Sequence, residues 1–422
     1  MTFGRYSKYK SVNVSWIGEI PFHWGFQSIK SILVERNEKN NPIKTKDILS
    51  LTMDRGVIPY AERGGGGNKA KEDISSYKLA YPDDIVLNSM NVVAGSVGLS
   101  KYFGAVSPVY YMLYARHKDV NIGYYDKIFS STAFQKSLLG LGNGILMKET
   151  ELSGKLNTIR MKIPIDKLNI QYLPCPPLEE QLKITKFLDV NISKIDELIQ
   201  KQEKLIDLLR ERKKQISLKT LTQGVKKSSF TRESGLWWVP TIPSNWGLCA
   251  LKRIANLRSG SSITAEHIEA EGHYPVFGGG GLRGYTSKFT HDGIYPLIGR
   301  QGALCGNVNF SEGKFWASEH AVVVTPIKNI NTTWLGLLLE AMNLGQYSMS
   351  AAQPGLSVDV IKNLVIPIPP HQEQIEISNF LIKEHSKIEL LIEKSQYCIA
   401  LLKERRDSLI LAAVTGKIMV SE

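Results

Sequence analysis

Two short signatures each occur twice in this chain, and the sequence between the copies is unlike. Ile20-Pro21-Phe22-His23-Trp24-Gly25 returns as Ile242-Pro243-Ser244-Asn245-Trp246-Gly247. Pro176-Pro177-Leu178-Glu179-Glu180-Gln181 returns as Pro369-Pro370-His371-Gln372-Glu373-Gln374. The offset falls from 222 residues at the tryptophan to 193 at the glutamine, so the first intervening block is 29 residues longer. Repeat arrays use periods of about 20–50 residues, so two copies this far apart are not a solenoid. They describe two similar modules whose middles are free to diverge, which suits one frame that reads two different things.

After each proline pair comes a long segment without glycine or proline. Leu188, Ile192, Ile195, Ile199, Gln202, Ile206, Leu209, Lys213 and Ile216 step by alternating four and three. In the second copy Leu381, His385, Ile388, Ile392, Ser395, Ile399, Leu402, Arg406 and Leu409 keep the same register. That spacing places them on one helix face, the seam of a coiled coil. Pro177 and Pro370 suit a helix start, and the acidic Glu179, Glu180 and Glu373 suit its positive end. The helices should close near Gln223-Gly224 and Thr415-Gly416. Two matching seams in one chain predict that the helices pair with each other, antiparallel, as a rod of roughly 60 Å at 1.5 Å per residue. The expected fold class is α+β: two similar domains of mixed structure joined by two long helices in an antiparallel, pseudo-two-fold coiled coil. The expected divisions are 1–175, the helix 176–224, 225–368 and the helix 369–422.

The chain carries 52 Lys+Arg against 40 Asp+Glu, a net charge of +12, which favours a polyanionic partner such as nucleic acid. Cys175, Cys249, Cys305 and Cys398 stand far apart without CxxC spacing and read as buried thiols of a reducing compartment rather than as a disulfide framework or a zinc site. The N-terminus lacks the apolar run of a signal peptide, and no stretch approaches 18 apolar residues, so a cytoplasmic location is expected.

The variable blocks, 25–172 and 247–365, are rich in strand-like runs, at 84–87, 109–114 and 321–324. Each carries a glycine cluster, 64–67 and 278–281, with Arg63, Asn68, Lys69 and Lys71 beside the first and Arg283, Tyr285 and Lys288 beside the second. Glycine permits close backbone approach, and such flanking residues suit phosphates and base edges, although glycine clusters also make plain turns. Asn88 and Asn91 in one block and Arg300 and Gln301 in the other follow a strand. Asn and Gln can bond adenine twice, and Arg can do the same with guanine. Trp24 and Trp246 read as core, and His320 and His371 as non-ligands. No Walker loop, no GxGxxG opening a helix, no methyltransferase Asn/Asp-Pro-Pro-aromatic motif, no HExxH and no GxSxG is present. The chain reads as non-catalytic, without a catalytic or metal-binding residue.

The doubled opening IP..W, glycine-bearing block, PP..EQ and long helix resembles the specificity subunit of type I restriction–modification enzymes over nearly the whole chain. Pro177, Glu180, Gln181, Ile184, Phe187 and Leu188 recur as Pro370, Glu373, Gln374, Ile377, Phe380 and Leu381. The resemblance implies two target-recognition domains, each reading half of a bipartite double-stranded DNA site, with the helices setting the spacer. It further implies two modification subunits carrying S-adenosylmethionine and ATP- and Mg-dependent restriction subunits. This chain itself would bind no cofactor, while the assembly would be an adenine-specific methyltransferase and ATP-dependent endonuclease. A stand-alone DNA-modifying enzyme with atypical motifs and a coiled-coil scaffold for other proteins remain as alternatives.

Overall fold

The computed structural model describes all residues except 1–3, 54, 65–68, 143–147, 150–155, 158–161, 227, 229, 328, 349–354 and 421–422. The chain divides into two compact units, Met1–Lys201 with Cys398–Glu422, and Gln202–Tyr397. Each unit therefore holds one variable block and a part of both long helices.

In the first unit, strands Leu33–Arg36, Tyr110–Ala115, Ile85–Asn88 and Val97–Leu99 lie side by side in that order, all antiparallel. Aromatic and branched residues fill these strands, as a half-buried pleated surface favours. The helix Ile122–Ser130 is N-capped by Asn121, whose side chain accepts from the Tyr124 N–H at 2.9 Å. Its Tyr124, Tyr125, Ile128 and Phe129 are buried in the unit's core.

The second unit repeats this plan. Strands Ala255–Ser259, Ala321–Pro326, Tyr295–Gly299 and Val308–Ser311 lie in that order, again antiparallel. In chain sequence both sheets read first, last, second, third. The helix Thr332–Ala341 follows, capped by Asn331 through the Trp334 N–H at 2.8 Å. The duplication thus continues through the blocks whose sequences have diverged. Alternation and burial specify a sheet, and many residue sets satisfy both.

The chain enters and leaves each block through one two-stranded clasp. Gly25–Ser28 pairs with Tyr172–Cys175, and Gly247–Ala250 with Val365–Ile368, both antiparallel. The doubled signatures then tie the clasp to the long helix. Trp24 Nε1–H donates to Glu180 Oε2 at 2.9 Å, and Trp246 Nε1–H to Glu373 Oε2 at 3.0 Å. Gln181 Oε1 accepts from the Asn121 N–H and its Nε2 donates to the Pro176 carbonyl; Gln374 makes the same bonds with Asn331 and Pro369. Both tryptophans are core, as expected of them. The two glutamates do more than favour a helix end, because each satisfies a buried indole. Partial burial opposes ionisation of Glu180, yet hydrogen bonds from Tyr6, His23 and Trp24 hold its pKa below the ordinary glutamate value. Glu179 instead pairs with Lys183 at 2.8 Å.

The long helices run Leu178–Gln223 and His371–Val414. Pro177 and Pro370 stand immediately before the first helical residues, where a missing N–H is harmless. In the first unit Ile184 and Leu188 share a core with Ile410, Ala413 and Val414, and Arg406 pairs with Asp196 at 3.0 Å. In the second, Leu221 packs with Ile377 and Leu381, Ser217 Oγ lies 2.7 Å from His385 Nε2, and Lys213 pairs with Glu389 at 2.6 Å. Contact partners descend along one helix as they ascend along the other, which is antiparallel packing. Lys213 and Arg406 are repeat equivalents, as are Asp196 and Glu389, so one cross-helix ion pair occurs twice with its roles exchanged. Of the apolar seam, Leu188, Ile195, Ile199, Ile206, Leu209, Leu381, Ile388 and Ile392 are buried, while Ile192, Ile399 and Leu402 are half-buried.

Candidate nucleic-acid interface

In the first unit the strands Leu49–Thr52 and Gly56–Pro59 form a hairpin that faces the loop ends of the four-stranded sheet. Between them lies a cleft of about 750 Å³ lined by Arg63, Lys69, Lys71, Asn88 and Asn91. Five candidates scattered over 29 positions of sequence are thereby gathered at one place; Asn68 lies outside the described residues. The Arg63 guanidinium sits 4.9 Å from the centre of the Tyr60 ring. The Lys71 backbone N–H donates to Tyr77 Oη at 3.0 Å, which fixes the course of the basic segment. Asn88 Oδ1 accepts from the Met90 N–H at 3.0 Å, so this side chain also shapes its own turn. Tyr60, Met90, Ser107 and Tyr110 line the same cleft and carry no sequence signal that separates them from ordinary core or loop. Among the described lining residues there are three cations and no carboxylate, so the cleft favours an anion.

The second unit builds its surface differently. Gly278 to Gly281 form the tip of the hairpin between Tyr274–Gly278 and Gly281–Thr286. This tip touches the loop after Tyr295–Gly299: a Cβ on Gly299 would stand 2.1 Å from the Gly279 carbonyl oxygen. Glycine is required there because two backbones meet. Arg300 and Gln301 project beside the tip, and the Arg300 side chain donates to Ser259 Oγ at 3.3 Å. Arg283 is exposed and lies along Gly278. Tyr285 and Lys288 are not gathered with them. Tyr285 pairs with Pro275 towards the open end of the hairpin, with its backbone bonded to Glu269 in both directions, and Lys288 lies beyond. Sequence proximity to the glycines misplaced these two because a strand carries the chain about 3.3 Å further with each residue.

All four cysteines are unpaired, but only Cys305 is buried as expected; Cys175, Cys249 and Cys398 are half-buried. Among the described residues no group of His, Cys, Asp or Glu could hold a metal ion, and no helix is long and apolar enough to cross a membrane. His371 Nδ1 lies 2.9 Å from the Asn329 carbonyl oxygen.

Two diverged modules of one topology, each presenting polar loop ends beside its sheet and each anchored on paired long helices, define a two-module recognition fold. Residues 243–396 match the family model described as the type I restriction modification DNA specificity domain. A stretch of 137 residues, 32% of this chain, is 47% identical to the type I restriction enzyme EcoprrI specificity subunit of Escherichia coli, of which it covers 34%. The putative MjaX specificity subunit of Methanocaldococcus jannaschii is 25% identical across 66% of this chain and 63% of its own length. The match thus spans about a third of the E. coli relative. The crystal structure of an HsdS subunit from Thermoanaerobacter tengcongensis shares the fold at a TM-score of 0.52, with 14% identity over 94% of this chain and 98% of that one. A chain from a structure on complex assembly and conformational transition of the type I R-M system has a TM-score of 0.66 and 15% identity over the same shares. Residues 243–396 thus carry a type I restriction modification DNA specificity domain, and the chain as a whole shares the fold of HsdS subunits.

Proposed function

We propose that this chain is the sequence-reading, non-catalytic subunit of a type I restriction–modification complex. Each variable block takes one half of a bipartite double-stranded DNA site. The long helices dock two modification subunits, which carry S-adenosylmethionine, and the assembly binds ATP- and Mg-dependent restriction subunits. One observation carries this reading. The same sheet, in two copies, presents different polar side chains at equivalent loop ends: Asn88 and Asn91 in one copy, Arg300 and Gln301 in the other. Conservation of the frame with divergence at the tips is what two independent readings of sequence require. The net charge of +12 and the three cations of the first cleft supply the sequence-independent attraction to phosphate.

Binding of DNA by the complex with its modification subunits should weaken about 10³-fold or more between 50 and 200 mM salt, as expected for several phosphate contacts. Titration by fluorescence anisotropy across that range checks it, and a flat response would remove the DNA-facing basic surface from the proposal. Asn91→Ala should lose about 1–3 kcal/mol of discrimination in the half-site read by block 25–172 and none in the other. Selection of bound sites from a randomised DNA library reads both halves at once.

A further inference from the structure

Four chain segments meet at the loop end of the second sheet, and only two of them, the hairpin tip and the loop carrying Arg300, were suggested by sequence. The third is the turn Ser318-Glu319-His320, which joins strands Lys314–Ala317 and Ala321–Pro326. The fourth is the chain just past Ala255–Ser259. Their backbones are locked together. The Ser318 N–H donates to the Phe277 carbonyl at 2.9 Å, the Arg300 N–H to the His320 carbonyl at 2.9 Å, and the Gly260 N–H to the Ala321 carbonyl at 2.9 Å. Gly260, Gly279 and Gly299 stand where these backbones approach one another, and a Cβ on Gly260 would lie 2.2 Å from the Ala317 oxygen. Ser318 is fully buried, whereas the Glu319 and His320 side chains remain 37% and 41% exposed. What projects from this fixed backbone is therefore Arg300, Gln301, Glu319 and His320.

Glu319 Oε1 lies 3.2 Å from His320 Nε2. Its other oxygen, Oε2, is covered and has no hydrogen-bond partner among the described residues. A covered carboxylate oxygen without a donor is a cost that native structures rarely carry without a reason. In the first unit the topologically equivalent turn is Ser107-Pro108-Val109. It stands beside the Asn88–Asn91 loop, with Ser89 Oγ donating to the Val109 carbonyl at 2.8 Å, and it offers neither carboxylate nor imidazole.

Resting on the DNA-recognition reading above, we infer that the turn carrying Glu319 and His320 is a base-reading element and that Arg300 and Glu319 together read a G·C pair. The chemistry is complementary. In the major groove guanine offers two acceptors, O6 and N7, which fit the fork of an arginine, while cytosine offers the N4 amine, which a carboxylate accepts. The partly exposed Glu319 side chain supplies that carboxylate. His320 is the positioning residue, with its Nε2 beside Glu319 Oε1. The first cleft, with amides and no carboxylate among its described lining residues, suits adenine instead, so the two half-sites differ in the base pair they demand.

The test is a selection of bound sites from a randomised library by the complex with its modification subunits. Wild type, Glu319→Gln, His320→Ala, Arg300→Lys and an exchange of block 247–365 for that of a relative are compared. Glu319→Gln and Arg300→Lys should each relax a G·C preference in the same half-site, lowering discrimination there by roughly 5- to 150-fold, with the other half unchanged. His320→Ala should relax the same position to a smaller extent, a readout that loss of folding alone would not give. If the block exchange rewrites that half-site while Glu319→Gln and Arg300→Lys leave its G·C preference intact, the inference is overturned and the recognition reading stands. Should the exchange itself change neither half, the recognition reading fails and takes the inference with it. A melting curve identifies any variant that is unfolded, and in that event the result with Arg300→Lys or Glu319→Gln, whichever folds, decides.

Discussion

Replacing residues 25–172 with the variable block of a relative is expected to rewrite one half of the DNA target and leave the other half as it was. The reason is structural. The chain crosses into this block along Gly25–Ser28 and out along Tyr172–Cys175, and these strands pair residue for residue. Both junctions thus lie side by side, so the new block inherits closed ends. Trp24, Glu180 and Gln181, which fasten the clasp to the helix, fall outside the exchanged segment. Affinity for the old half-site should drop towards the non-specific level, a loss of about 10³-fold or more. Mapping of methylated adenines in a host carrying the exchanged gene checks it. A change in both halves, or in neither, would end the modular reading.

A second large effect is expected from Trp24→Ala. Trp24 is completely buried, and its indole N–H meets Glu180, which also takes the Tyr6 hydroxyl at 2.7 Å and lies 2.6 Å from His23 Nε2. Truncation leaves a cavity and takes one donor from a partly buried carboxylate, at about 3–5 kcal/mol. For domains of 150–250 residues each kcal/mol moves the melting temperature by about 2–4 °C, so the transition should fall by at least ~6 °C. Trp24→Phe keeps most of the volume and loses the donor, so its shift should be distinctly smaller. Scanning calorimetry of the three proteins decides. A melting temperature for Trp24→Ala within ~2 °C of wild type would mean that the doubled tryptophan is not the bolt described here.

Much of this was legible in the linear chain. The two long helices, their register and their ends could be read because helical periodicity is local: every third or fourth residue reports on the same face. The strand-like runs at 84–87, 109–114 and 321–324 fall on the strands Ile85–Asn88, Tyr110–Ala115 and Ala321–Pro326, because branched and aromatic residues suit a pleated surface. The doubled signatures flank the strands by which each variable block is entered and left. Tertiary structure alone decided what the signatures do, since Trp24 and Glu180 are 156 residues apart and Trp246 and Glu373 are 127 apart, and no local pattern announces a bond of that span. It also showed that the diverged blocks share one sheet order, because a sheet constrains which face is buried and leaves residue identity open. Gathering of Arg63, Lys69, Lys71, Asn88 and Asn91 into one cleft, exclusion of Tyr285 and Lys288 from the hairpin tip, and inclusion of Glu319 and His320 beside Arg300 were likewise settled only by folding. Loop ends are brought together by strand pairing, whose partners lie tens of residues away, and so the candidate surface is a property of the fold rather than of any stretch of the chain.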